Sequence, residues 1–343
     1  MNKRNFYNQQ DAGKVFLWAL LLPQLMSLVF ALVFASIYKT PEQMQQSIFY
    51  VFVACTLAQI CFAFVLFYYN KKNKINFKIA TEFNPNISLK NGILCAVISI
   101  VAVFGFVNFI GVFDNLFAWL GINTASVSVP NNTFGWFLFN VIFLAIIPAV
   151  LEEFIFRGII FNGLKKHGFW YASLISALMF ALVHLSVQQF VFPIIMGIVF
   201  AMVLKKTGSL MCSIIVHLCN NFIVVLISYI SNFTGRQIAS FDTSTAWGII
   251  LAIVIAVVAA VSIWLIIKYL LKPCKNDVNL VEQSEEKDVA GQSVEQESVE
   301  LNQVDEQKEL TNNVKNRQNG YVIVALLAGV ILWLIVVIGG VIA

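Results

Sequence analysis

Six residues of this 343-residue chain have the types and spacing for chemistry, and all of them lie inside apolar surroundings: Glu152, Glu153, Arg157, His184, His217 and Asn221. A carboxylate beside an imidazole can take a proton from water, which is general-base catalysis. An imidazole and a carboxamide can donate hydrogen bonds to an oxyanion as a carbonyl carbon turns tetrahedral. Glu152 with His184 fits the first task, and His217 with Asn221 fits the second. Glu153 and Arg157 are four residues apart, the spacing of an ion pair on one helix face. Glu152 points about 100° away from that face, toward another neighbour. His217 and Asn221 are also four apart and aim at one place.

A helix must hold each group at the right depth. At 1.5 Å per residue, Glu152 lies about 20 Å from Lys165, His217 about 17 Å from Lys206, and His184 about 25 Å from His167. With helix tilts of about 20° these groups can meet near the middle of a membrane. Ionisable side chains inside a bilayer are costly and mark a functional site by default. Here they concentrate between Glu152 and His217, and two of the chain's three His are among them. Simpler roles exist for each: Glu153–Arg157 also suits a fold-fixing pair, and a membrane His often just bonds across helices.

Composition dictates the class. Apolar residues make up 59% and charged residues 12%, against about 25% charged in ordinary soluble domains. Such a chain cannot cover a soluble surface, so the expected fold class is an all-α, polytopic transmembrane helix bundle. Apolar runs of spanning length occur near 15–37, 47–69, 92–113, 134–163, 168–187, 189–204, 209–231, 244–267 and 320–343. They define an eight-helix core over 1–272 and a ninth helix over 319–343. The break around Ser186–Gln189 between two of these runs is very short.

Charge is partitioned sharply. Residues Asp277 to Glu309 hold 11 of the 18 acids with two bases, Lys287 and Lys308, which leaves 20 bases against 7 acids elsewhere. The segment 273–318 is rich in Glu, Gln, Ser and Asn, lacks an apolar period, and reads as an acidic disordered cytoplasmic linker. A solvated connection is its simplest role, and a basic cytoplasmic partner is the further one. The remaining bases cluster in alternate loops: Lys71 to Lys90, Lys165 and Lys166, Lys205 and Lys206, Lys268 to Lys275. The positive-inside rule then puts the N-terminus and the linker in the cytoplasm. No basic patch sits on a soluble fold, so nucleic acid is not an expected partner. The six Cys form no CxxC pair and suggest neither a disulfide scaffold nor a zinc ribbon. The first apolar run lacks an A-x-A site where it ends and reads as an uncleaved helix. No prenylation Cys stands at the C-terminus.

Several ways of cutting a peptide bond are missing their residues. There is no HExxH and no GxS nucleophile motif before a buried His, and outside the linker the Asp residues are Asp11, Asp114 and Asp242, all at loops or ends. The strings EEFIFR (Glu152–Arg157), FALVH (Phe180–His184) and HLCNN (His217–Asn221) match EExxxR, FxxxH and HxxxN in order. The block 134–231 thereby resembles the CAAX protease and bacteriocin-processing (CPBP, or Abi) intramembrane protease family, which includes the type II CAAX prenyl endopeptidases. The resemblance implies an endopeptidase whose water is activated by Glu152 and His184, with His217 and Asn221 as the oxyanion hole and Glu153 and Arg157 in support. Members have also been labelled metalloproteases. A zinc ion would draw on His184, His217 and Glu152, but Asn221 is a poor zinc ligand and a good oxyanion donor, so no cofactor is required in the expected chemistry. The expected substrate is a peptide precursor or membrane protein, met in the lipid bilayer. The compact core with short loops points to a bacterial cell membrane.

Three other functions compete with proteolysis. Relatives that act as membrane scaffolds tend to have lost motif residues, and this chain keeps them. A self-immunity role against a peptide would use the same residues. A proton-coupled transporter would predict an inverted repeat, and none is visible.

Overall fold

A computed structural model describes residues 4–38, 47–122, 129–236, 240–274 and 320–338. The described residues are helical throughout apart from turns and one isolated bridge, Arg4 to Ile75. The helices are α1 (Gln9–Ile37), α2 (Ile48–Asn73), a single turn α3 (Phe77–Ala80), α4 (Leu89–Trp119), α5 (Phe134–His167), α6 (Phe169–Leu182), α7 (Val191–Thr207), α8 (Leu210–Thr234), α9 (Ala246–Leu270) and α10 (Gly320–Ile338). Their starts are written in the sequence. Asn8 and Asp11 form a reciprocal capping box on α1, and Ser47, Ser88, Thr133 and Thr245 each accept an orphan amide of the following helix. Gly208 ends α7 in the left-handed conformation, φ 65°, where a Cβ would be strained.

Seven of these helices, α1, α2, α4, α5, α8, α9 and α10, are long and apolar enough to cross a membrane. The chain is an integral membrane protein with a polytopic helical bundle. Of the two expected spans at 168–187 and 189–204, the first stops early at Leu182 and the second is shifted to Val191–Thr207. They form α6 and α7, of 14 and 17 residues, which reach only about 21 and 26 Å. Both start or end beside the lysine-rich loops, so they form a hairpin whose bend, residues 183–190, lies inside the bundle's depth. The apolar run misled because Val183, Leu185 and Val187 continue it in composition while the backbone has already left the helix.

α5 carries the densest irregularity. Val141–Ile146 and Phe154–Phe161 are π-helical, and Pro148 follows the first of them. Proline has no amide proton and its ring crowds the carbonyl four residues back, so a widened turn there relieves both problems. α5 is held to α6 by Ser176 Oγ, which donates to the Phe156 carbonyl at 2.7 Å. Ser99 Oγ of α4 likewise donates to Val216 O of α8 at 2.8 Å, one residue before His217. α4 and α9 approach closely, with the Ala259 methyl against Gly105: a Cβ on Gly105 would stand 2.2 Å from that of Ala259. Small residues allow this close approach, which in lipid must supply by van der Waals contact what the hydrophobic effect supplies in water.

The linker 273–318 lies outside the described residues apart from Pro273 and Cys274. The ninth apolar run, expected as an appendage, is seated on the core as α10. Val322 and Ala325 are fully buried, Lys14 Nζ lies 4.9 Å over the Tyr321 ring, and Trp333 packs on Phe190 with ring centroids 4.6 Å apart. Gly329 faces Leu182 and Phe16, whose atoms would lie 3.1 and 3.2 Å from an added Cβ. Gly329→Leu is therefore expected to lift α10 from α1 at an overpacking cost of about 1–3 kcal/mol. Unfolding in mixed micelles would register this as a lower midpoint, and an unchanged midpoint would show that the contact carries no stability.

Candidate functional site

The site forms where α5, α6, α7 and α8 meet. Glu152 and Glu153 sit at the end of the α-helical stretch Ile147–Glu153, directly before the second π-helical stretch of α5. In the π region four residues make slightly less than one turn, so Glu153 and Arg157 stay on one face. Their ion pair is present at 2.8 Å, Arg157 Nη1 to Glu153 Oε1, with both side chains completely buried.

Glu153 accepts from three donors. Besides Arg157, Ser213 Oγ donates to its Oε2 at 2.6 Å, and His217 Nδ1 approaches its Oε1 at 3.1 Å. A carboxylate that accepts three hydrogen bonds keeps its charge and its orientation. Because the carboxylate accepts at Nδ1, that nitrogen carries the proton and His217 Nε2 faces the other way. It faces Glu152, with Nε2 and Oε2 3.7 Å apart. His217 thus stands between the two carboxylates. The expectation that Glu152 faces a neighbour other than Arg157 holds, but one imidazole serves both carboxylates, which helical spacing did not foretell.

Arg157 is held by two aromatic rings. Its guanidinium carbon lies 4.6 Å from the Phe180 ring centre and 4.8 Å from that of Phe200. Among the described residues Nε and Nη2 have no hydrogen-bond partner, so the ring faces supply the compensation that cation–π attraction gives a desolvated cation. Room for the guanidinium depends on Gly197, where a Cβ would stand 3.1 Å from Nη2 and 2.7 Å from the Ala177 Cβ. The Phe200 ring also stacks on His217 at 4.8 Å with an interplanar angle of 20°.

His184 is in the bend after α6, not within a helix as its spacing from His167 assumed. The helix ends at Leu182, and Leu185 takes φ 46°. A bulky residue in the left-handed region is strained, and such strain gathers at functional sites. His184 Nδ1 lies 2.8 Å from the Phe180 carbonyl. A carbonyl only accepts, so Nδ1 holds the proton and Nε2 is the free base. Phe180 links the two imidazoles: its ring is 5.0 Å from that of His184 and 5.7 Å from that of His217, edge-on to both.

Asn221 lies one turn beyond His217 and is half-buried; its Oδ1 accepts from Asn220 Nδ2 at 3.2 Å. Asn220 is buried, and its own Oδ1 has no partner. The structure therefore gathers Glu152, Glu153, Arg157 and His217 in one connected cluster, sets His184 across Phe180, and pairs Asn221 with Asn220. Ser213, Phe200 and Asn220 were missed by sequence reasoning. Ser213 had a signal, since it precedes His217 by one turn; Phe200 had none among 31 Phe.

Among the described residues no group of three or more His, Cys, Asp or Glu side chains is placed to hold a metal ion. His184 stands across the Phe180 ring from His217, so the three expected zinc donors His184, His217 and Glu152 are not gathered into one ligand group. A cavity of about 600 Å³ opens between α2 and α5, lined by Ala63, Leu66, Phe67, Lys71, Phe77 and Leu151 among others, and none of the six candidate residues lines it.

Ser213→Ala removes one donor to the buried Glu153, a bond to a charged group with a net worth of about 1.5–3 kcal/mol. Turnover is expected to fall about tenfold by loosening of Glu153 and, through it, of His217. A variant with wild-type turnover would show that the other two donors suffice.

Comparison with known proteins falls on the same block. Residues 134–223 match the family described as Type II CAAX prenyl endopeptidase Rce1-like. A stretch of 100 residues, 28% of this chain, is 36% identical to the protein named "Putative membrane peptidase YdiL" of Bacillus subtilis (strain 168). That stretch covers 41% of the relative's length. No solved structure matches the chain. Both matches support the CPBP family for the block that carries Glu152, His184 and His217, the family its three motifs resemble.

Proposed function

We propose that this chain is an intramembrane endopeptidase that hydrolyses a peptide bond of a membrane protein or peptide precursor. The observation that carries the reading is the unequal treatment of two adjacent buried carboxylates. Glu153 is held by three donors that fill all but one of its about four acceptor positions, whereas Glu152 meets only a nitrogen of His217, at 3.7 Å. Glu152 is the group left free to act as a base.

In this reading Glu152, helped by the free Nε2 of His184, takes a proton from a water as its oxygen bonds to the scissile carbonyl carbon. His217, protonated on both nitrogens at this stage, donates from Nε2 to the oxyanion while Nδ1 stays on Glu153, and Asn221 donates from Nδ2. The intermediate collapses with cleavage of the C–N bond, and the proton held by Glu152 goes to the leaving amine. Arg157, Glu153 and Ser213 hold His217 in place and touch no substrate. No step passes through a metal or cofactor. By the positive-inside rule the lysine-rich loops favour a cytoplasmic N-terminus, and the substrate in this reading is met within the bilayer of a bacterial cell.

The test compares membrane and secreted peptides of cells carrying the wild type or Glu152→Gln at matched expression. Products present with the wild type and missing with the variant would support proteolysis and identify the substrate. Identical peptides, with the variant rescuing a deletion phenotype, would sink the enzymatic reading in favour of a scaffold.

A further inference from the structure

Three thiols from three separate segments converge at the lysine-rich end of the bundle, with Cys212 one residue before Ser213 of the Glu153 cluster. Cys212 lies in the first turn of α8, Cys274 at the point where the chain leaves α9 for the linker, and Cys95 in α4. Cys212 Sγ and Cys274 Sγ are 3.9 Å apart, and the Cys95 thiol lies against that of Cys212. Sequence spacing hides the group, since 61 residues separate the first pair and no CxxC is present.

The placement of Cys274 is built by other contacts. Its amide donates to Thr207 O at 2.8 Å, and Asn91 Nδ2 donates to its Sγ at 3.6 Å. Asn91 also grips the neighbouring backbone, donating to Lys272 O at 2.9 Å and accepting from Lys272 N at 3.3 Å. Cys274 is half-buried, whereas Cys212 is fully buried, so an oxidant reaches the pair from the Cys274 side. Cys212 sits in the first turn of a 25-residue helix and faces the Cys274 sulfur from the buried side.

We infer that Cys212 and Cys274 form a redox-reactive dithiol that a peroxide converts to a disulfide. The Cys274 sulfur attacks one peroxide oxygen, the O–O bond breaks, and a sulfenic acid and water result. The Cys212 thiolate then attacks that sulfur, the S–S bond forms, the S–O bond breaks and a second water leaves. Two thiols are oxidised and one hydrogen peroxide is reduced. The sulfurs must close from 3.9 Å to the disulfide length of about 2.05 Å. The product staples the root of the linker to the helix that carries Ser213 and His217. On a face where thiols are kept reduced, such a bond is reversible signalling chemistry and not a structural brace. An external dithiol returns the pair to the reduced form by two exchange steps and leaves as a disulfide itself. This inference stands whether or not the chain cuts peptides.

The test treats purified full-length protein in detergent with hydrogen peroxide, blocks remaining thiols with N-ethylmaleimide, and maps linked peptides by mass spectrometry without reduction. The expected result is one dominant cross-link, Cys212 to Cys274, that dithiothreitol removes, that Cys274→Ser abolishes and that Cys95→Ser leaves in place. The oxidised protein should also unfold at a higher temperature than the reduced protein, because the bond closes a long loop. Absence of that cross-link in wild-type protein, or a dominant Cys95–Cys212 bond, would overturn the inference.

Discussion

Replacing Glu152 with Gln is expected to lower kcat for peptide hydrolysis by about 10²–10⁴-fold, the range of a general base, with little change in KM. The amide keeps the size of the carboxyl group and can still lie near His217 Nε2, now 3.7 Å from the carboxylate, so the fold should survive. Glu153→Gln supplies the contrast. It leaves the proposed base untouched but swaps one of two acceptor oxygens for a donor, in a pocket where Arg157, Ser213 and His217 all donate. Its damage should appear in stability as well as in turnover. The measurement is steady-state kinetics on reconstituted protein beside unfolding in mixed micelles. If Glu152→Gln keeps more than a tenth of wild-type kcat, Glu152 is not the base.

Arg157→Met is expected to be the most destabilising single change in the site, at about 3–5 kcal/mol, because it strands a buried carboxylate. Arg157 and Glu153 are both fully buried, and the guanidinium fills the gap between Phe180 and Phe200. Met has nearly the length to fill that gap but cannot answer the charge. Glu153→Leu strands the cation in turn and should cost a similar amount. The double variant removes both charges, and buried pairs replaced by apolar groups of like volume often lose nothing. It should therefore recover most of the stability while staying inactive, since His217 Nδ1 loses its acceptor. Additive losses in the double variant would show that the two charges do not act as a pair. Activity in the double variant would show that His217 needs no orienting carboxylate.

Much of the site could be read directly from the chain. Ionisable residues in apolar runs are rare enough that Glu152, Glu153, Arg157, His184 and His217 stand out by type alone, and the four-residue spacing anticipated the Glu153–Arg157 pair. His184 shows where such reasoning ends. Its run is apolar through Val187, so composition extends the helix, whereas the backbone turns at Val183 and reaches a left-handed Leu185. The turn is imposed by α7 returning against α6, a contact that composition does not encode. Asn221 shows a different limit: spacing aims it with His217, while its observed bond is to Asn220.

Composition and local periodicity alone determine that this protein lives in a membrane as a helical bundle, because no arrangement of 59% apolar residues leaves a polar surface. They also determine which few residues must be shielded from lipid. The tertiary structure decides what those residues do to each other: His217 between two carboxylates, Arg157 between two rings, α10 against α1, and Cys212 beside Cys274. Each of these joins segments tens to hundreds of residues apart. Their partners are set by which helix faces interlock at close range, and single-helix periodicity contains no term for that.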